Sequence, residues 1–374
     1  MTQLSDCYEL GNLIDTYALG HYARVYEAYD LRDQHPVAFK LMRSEHRTPN
    51  DQPKWEAEAF INELDLLLAL ADQAAVIRVY DCGYVESAAE HPQEGEIRSF
   101  KLNLEAFRQN FYPCLRDGWR PYLALEYLPR HQNLLYLMKS AKGERRRLPT
   151  EEALNLGLQF GQLLYRAHER NIVFLDHKLE HVYWDGETLR VIDWNSSRRV
   201  GGITGKAPEG QKINDLHNLC VGILYPIFTG AAPQKGSLRP QPASQAEVEA
   251  RYEGISQLDF SMEASLSQGL IELLERGAKK QIETAAAFLA EWQGVALRFG
   301  WSFAGQTPSP AAARARDHIR EGLSQLRASV EAARQAREAL LEAAALDGLN
   351  DSLEAEVRRL LAKIGDYLNT RPIP

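Results

Sequence analysis

The chain has 374 residues, 45% of them apolar and 25% charged, with a formal net charge of −8. Its length is more than one hydrophobic core usually serves, so two domains or one large unit with an extension are expected, and the apolar content is too high for disorder. The acidic balance argues against non-specific nucleic-acid binding, and Arg145, Arg146 and Arg147 form only a short basic run in a loop-like setting.

From the N-terminus, residues 8–45 read as strands, with RVYEAYD and PVAFKLM separated by the turn-like LRDQH. Trp55, Ala59, Phe60, Leu66, Leu67 and Leu70 then recur at helical spacing. AVIRVYDCGYV (75–85) and PYLALEYL (121–128) are further strand runs. Between them lies an insert, 86–120, whose Phe100, Phe107, Phe111, Tyr112 and Trp119 predict that it packs against the body.

TEEALNLGLQFGQLLYRAHER predicts a helix with Thr150 as its N-cap, and NIVFLD…VYWDGETLRVIDW a strand, a turn at Asp185-Gly186 and a strand. A helix is expected from about Asn214 through CVGILYPIF, more helix over 262–298, and a linker at GQTPSP (305–310). Beyond it, Ile319, Leu323, Leu326 and Val330 step at helical spacing, as do Leu353, Val357, Leu360, Ile364 and Tyr367. That pattern predicts a helical hairpin or coiled coil over 311–374, a surface for a regulatory partner or a second copy.

Cys7, Cys82, Cys114 and Cys220 lie far apart, without metal-ligand spacing, and read as reduced thiols of a cytoplasmic protein. The start MTQLSDCYEL lacks a basic and apolar leader, and no run of about eighteen apolar residues predicts a membrane span.

Two charges fall on apolar faces. Glu63 shares its helical face with Ala59, Phe60, Leu66, Leu67 and Leu70, and Lys40 ends the strand run VAFK. Each would be costly to bury alone, so a buried Lys40–Glu63 pair is expected.

These residues, with the motifs that follow, resemble the eukaryotic-type protein kinase family over about 8–300. ALGHYARV aligns with the Gly-rich loop, giving Ala18, Gly20, Ala23 and Val25, of which Gly20 alone keeps a family glycine. VAFK matches the strand whose lysine holds phosphates, Glu63 the helical partner of that lysine, and LEYL the hinge. FLDHKLEH resembles the catalytic loop, VIDWN the D-F-G triplet, and Ala207-Pro208-Glu209 the A-P-E motif. Asp215 opens the helix that supports that loop.

The resemblance implies an α+β, bilobal fold: a β-rich N-lobe (8–128), a helical C-lobe (129–300), a linker (301–310) and the C-terminal hairpin. It also implies ATP and Mg²⁺ or Mn²⁺ as cofactors. Gly20, Val25, Ala38, Lys40, Glu63, Leu125 (the gatekeeper), Glu126 and Leu128 would bind ATP. Asp176 would be the base, Lys178 a phosphate contact, and Asp193 and His181 the metal ligands.

Some positions depart from the family. Phe174 and Leu175 replace His-Arg, removing the cation that receives an activating phosphate, so Ser196, Ser197 and Thr204 are poor phosphosites. His181 stands in place of a metal-binding Asn, Trp194 in place of Phe, and Asn195 in place of a Gly whose left-handed backbone Asn tolerates. The implied function is a divergent serine/threonine protein kinase. A pseudokinase scaffold and a small-molecule kinase of the aminoglycoside-phosphotransferase type are the alternatives.

Overall fold

The structure is a computed structural model that describes residues 2–14, 22–49, 54–138, 146–201, 208–233, 245–345 and 351–370. It is a mixed α+β architecture, with an antiparallel sheet followed by a largely helical half.

After a turn of helix, α1 (Leu4–Cys7), come β1 (Tyr8–Leu13), β2 (Ala23–Asp30), β3 (His35–Met42), α2 (Trp55–Ala69), β4 (Val79–Glu86) and β5 (Glu96–Ser99). Short helices α3 (Leu104–Gln109) and α4 (Phe111–Arg116) precede β6 (Arg120–Glu126). The strands form one sheet in the order β1-β2-β3-β6-β4-β5. Successive strand side chains face opposite ways. On β3, Val37, Phe39 and Leu41 join an outer cluster with Leu4, Tyr8, Tyr26 and Tyr122. Ala38 and Met42 face the other way, into the main core with Phe60 and Leu67 of α2. Lys40 shares that inner side, which is why it meets α2.

The insert over 86–120 packs as expected and also adds β5 to the sheet edge. Phe107 stacks on Tyr84 at 4.9 Å, and α3 lies against α2. A buried carboxylate that the sequence reading did not single out ties this region together. Asp81 accepts from Tyr8 Oη (2.7 Å), Tyr122 Oη (2.9 Å), Ser99 Oγ (2.8 Å), the Lys101 N–H (2.8 Å) and Arg32 (2.9 Å). The run 75–85 is a sheet strand only from Val79. Ala75 and Ile77 instead bond the backbone of Val191, and Val76 forms a parallel bridge to it.

The second half comprises α5 (Leu134–Leu137), α6 (Thr150–Glu169), β7 (Ile172–Val173), β8 (Val182–Trp184), β9 (Leu189–Val191), β10 (Arg198–Arg199) and α7 (Pro208–Asn218). A π-helical stretch, Leu219–Leu224, leads into α8 (Tyr225–Thr229), followed by α9 (Gln245–Glu249), α10 (Gln268–Ala278) and α11 (Ala285–Arg298). β8 pairs with β9 across the predicted Asp185-Gly186 turn, where Asp185 accepts from the Glu187 and Thr188 N–H groups. α6 and α11 approach closely because Gly157 has no side chain; a Cβ there would lie 2.1 Å from the Trp292 ring.

Three expected boundaries shift. Pro149 occupies the N-cap of α6, and Thr150 is its first helical residue, with no side-chain cap bond. The helix expected from Asn214 starts at Pro208. The run 262–298 is two helices, because Lys280 takes a left-handed φ of 57° and Ile282 turns into the core before Thr284 caps α11.

The C-terminal segment forms α12 (Pro310–Ala344) and α13 (Asp351–Thr370), which pack along each other, with the Ser329 and Tyr367 hydroxyls hydrogen-bonded. Ser309 caps α12 by accepting from the Ala312 N–H at 3.2 Å. α12 is docked on the helical half. Arg316 reaches Glu151 at 2.7 Å, and Arg327 reaches Glu152 at 2.7 Å and the Gly186 carbonyl at 2.8 Å. No helix among the described residues is long and apolar enough to cross a membrane.

Candidate active site

The site forms where the inner side of the sheet faces the β8–β9 region. Lys40 Nζ lies 3.0 and 2.7 Å from the two Glu63 oxygens and 2.8 Å from Asp193 Oδ1. Burial alone would lower the Lys40 ammonium, and Asp193 and Glu63 more than reverse that, so it stays charged. Glu63 is fully buried, and burial holds its carboxyl above the ordinary range against the pull of Lys40. The expected Lys40–Glu63 pair is therefore present, with Asp193 as a third member.

Tyr22 completes this cluster. Its hydroxyl lies 3.3 Å from both Glu63 Oε2 and Asp193 Oδ1, and Lys40 sits 5.0 Å from its ring centroid. The sequence reading passed over Tyr22, although it lies between the aligned Gly20 and Val25.

Asp176 is buried and held from two sides, with Lys178 Nζ 2.9 Å from Oδ2 and Arg251 3.1 Å from Oδ1. Burial would raise its carboxyl, and His181, Lys178 and Arg251 together outweigh burial and lower it. Arg251 follows the short helix α9, and no motif in the sequence marked it.

His181 links Asp176 and Asp193. Its Nδ1 lies 3.0 Å from the Asp176 carbonyl, an acceptor only, so Nδ1 carries a proton. Its Nε2 lies 3.3 Å from Asp193 Oδ2. In that tautomer Nε2 and Oδ2 are two lone-pair donors facing each other, a pair that a cation could bridge. One carboxylate and one imidazole suit a divalent ion completed by other oxygen ligands, with the nitrogen favouring Mn²⁺ over Mg²⁺. Among the described residues there is no group of three or more His, Cys, Asp or Glu side chains arranged to hold a metal alone. Burial would raise the Asp193 carboxyl, but Lys40 and His181 hold it well below the ordinary range.

Asp215 anchors the loop from beneath. It accepts from the Phe174 N–H at 2.8 Å, the Leu175 N–H at 2.7 Å and His168 Nε2 at 3.0 Å. His168 is thus part of a buried polar network. Phe174 packs 4.8 Å from Trp194, and Ser197 donates to its carbonyl at 2.8 Å. The replacement of His-Arg by Phe-Leu therefore leaves an apolar core beneath the loop. The left-handed residues here are Leu175 (φ 66°) and Asp193 (φ 61°). The left-handed turn expected at Asn195 thus falls on Asp193, with Asn195 inside a turn of 3₁₀ helix.

Ala38 and Leu125 belong to the main core cluster, and Val25 and Leu128, partly buried, pack against it. Glu126 ends β6 beside them. Its N–H donates to the Arg78 carbonyl at 2.9 Å, and its carboxylate pairs with Arg190 at 3.2 Å. Gly20, Ala18, Thr204 and Ala207 lie outside the described residues. Comparison with known protein families and with curated proteins finds no match for the chain.

Proposed function

We propose that the chain is a divergent ATP-dependent serine/threonine protein kinase of bilobal fold, transferring the γ-phosphoryl group of ATP to a protein hydroxyl. One observation carries this reading: Lys40 is ion-paired to both Glu63 and Asp193, residues brought from a sheet, a helix and a distant turn to one point beside Asp176 and Lys178. A paired lysine, a metal-binding carboxylate and a base beside a second lysine are the groups that phosphoryl transfer requires.

Bound ATP and its metal would supply the transferable group and neutralise its charge. Lys40 and Lys178 would offset phosphate charge, and Asp176 would accept the proton of the acceptor hydroxyl. Asp193, with His181 beside it, would hold the metal. Val25, Ala38, Leu125 and Leu128 would give the nucleotide base an apolar cover that excludes water.

A scaffold with little nucleotide binding is the second reading, and a specific observation favours it. Asp193 Oδ1 is already ion-paired to Lys40 within the chain, so part of the charge a metal would meet is offset without a ligand.

Thermal stabilisation by ATP with Mg²⁺ or Mn²⁺, followed by a phosphate-transfer assay, separates the readings. ATP at about a hundred times its dissociation constant adds about 2.7 kcal/mol. The kinase reading expects that stabilisation, its loss in Lys40→Ala and Asp193→Ala, and label on a protein acceptor. Stabilisation without transfer would leave the scaffold, and no stabilisation with either metal would remove the kinase reading.

A further inference from the structure

We propose that Arg251 is a positioning residue for the base. It holds Asp176 through Oδ1 and keeps that carboxylate in place when Lys178 turns from Oδ2 to the phosphates. This rests on the phosphotransfer reading above.

Asp176 has a lysine on Oδ2, with the His181 ring 3.6 Å from the same oxygen, and an arginine on Oδ1; the lysine and the arginine differ in kind. Lys178 is two residues away on the same loop, on a flexible stem that also lies 3.8 Å from Glu180. An ammonium of that kind exchanges readily between anions. Once it moves to a phosphate, Oδ2 becomes open to an acceptor hydroxyl, and the carboxylate loses its closest partner on that oxygen.

Arg251 is built in differently. The next residue, Tyr252, is buried and donates its hydroxyl to the His177 carbonyl at 2.6 Å, directly beneath the loop. His217 Nε2 lies 3.1 Å from the Tyr252 carbonyl. Tyr252 fits only because Gly222 lacks a side chain: a Cβ there would lie 2.6 Å from the Tyr252 ring. Gly222 belongs to the π-helical stretch, a local widening of the helix that recurs at functional sites. On the other side, Val248 packs with Val173, Leu175 and Val200, and Glu249 pairs with Arg198 at 2.6 Å. The segment 248–252 is therefore fixed to the catalytic loop at both ends, and it presents the Arg251 guanidinium to the base. A reacting group displaced by about 1 Å loses up to about 100-fold in rate, so a restraint that outlasts the departure of Lys178 bears directly on turnover.

The test uses the full chain with Arg251→Met, Arg251→Lys and Tyr252→Phe. Phosphate transfer to dephosphorylated casein is measured alongside amide hydrogen exchange over 173–181, with and without ATP and Mn²⁺. Arg251→Met is expected to lower kcat by about 10- to 100-fold while leaving KM for ATP within about twofold. Arg251→Lys should recover part of that loss, because it restores a cation at the same place. Tyr252→Phe, which keeps the ring and removes one hydrogen bond, should give a smaller loss in kcat alone. Exchange over 173–181 should rise in Arg251→Met when ATP is added and stay unchanged in the wild type.

Unchanged or increased kcat in Arg251→Met, or equal exchange in both proteins with ATP, would overturn the proposal. If the wild type binds ATP and transfers no phosphate, the kinase reading alone fails, and exchange still judges whether Arg251 holds the loop. If it binds no ATP, both readings fall.

Discussion

Asn62 and Ser197, 135 positions apart, are joined by a hydrogen bond of 2.8 Å from the Asn62 side-chain amide to the Ser197 carbonyl. The same amide lies 3.1 Å from the Asn195 carbonyl. Asn62 directly precedes Glu63, so one turn of α2 holds both Lys40 and the segment that follows Asp193. Asn62→Ala would strip two part-buried carbonyls of their donor. A loss of about 1–3 kcal/mol in urea unfolding is expected, as for other deleted buried partners. Stability equal to wild type would mean that water replaces the amide.

The Lys40–Glu63 pair predicts strong non-additivity. Lys40→Met leaves Glu63 buried with the Tyr22 hydroxyl at 3.3 Å, and a loss of about 3–5 kcal/mol follows from an uncompensated charge. Adding Glu63→Gln removes that charge and should return much of the loss. A double-mutant cycle by denaturant unfolding measures the coupling, and additive single effects would contradict the pair.

His177 sets a pH dependence. It is fully buried, stacked 5.4 Å from Phe160, and burial pushes its imidazole down from 6.5 to about 4. Between those values the unfolded chain holds a proton that the folded chain does not. Stability is therefore full above about pH 6.5 and falls as pH drops toward 4, by up to about 3 kcal/mol for a gap of about 2.5 units. His177→Leu should flatten the stability profile over that window. A profile parallel to wild type would exclude His177 as the source.

Under the kinase reading, His181→Asn exchanges an imidazole for an amide oxygen donor beside Asp193. The ATP-dependent thermal shift is expected to be larger with Mn²⁺ than with Mg²⁺ in the wild type, and this preference should shrink in the variant. An unchanged metal preference would show that Nε2 takes no part in binding the ion.

The docking of α12 is also open to test. Glu152 is buried and shared by Arg327 at 2.7 Å and the Trp184 indole N–H at 2.7 Å. Arg327→Met leaves the carboxylate with the indole alone. A loss near the low end of about 3–5 kcal/mol is expected, because the Arg327 side chain retains 25% exposure. Combining it with Glu152→Gln should recover part of that loss in thermal unfolding, and no loss in the single variant would mean that α12 stands apart from the body.

Local pattern determined much of this protein. The alternation in VAFK placed Lys40 opposite Val37 and Phe39, and the spacing around Glu63 put a carboxylate on a buried helical face, so their pairing was legible before any fold was known. The turn at Asp185-Gly186 and the two C-terminal helices were legible for the same reason, since each depends on neighbours a few residues away. The hydrogen bonding of Asp81, the place of Tyr22 over Lys40, the turn of Glu126 toward Arg190 and the reach of Arg251 to Asp176 were not. Each joins residues whose relation depends on how separate elements stack, and a lone Asp, Tyr or Arg in a sequence has no periodicity to announce its partner. The left-handed backbone fell on Asp193 and not on Asn195 because the turn there is shaped by its contacts with Lys40 and α2. Sequence marked Lys40 and Glu63 as charges to be buried, because each sits on an apolar face; tertiary packing alone decided what each buried charge met, because it takes whichever partner the surrounding elements bring within reach.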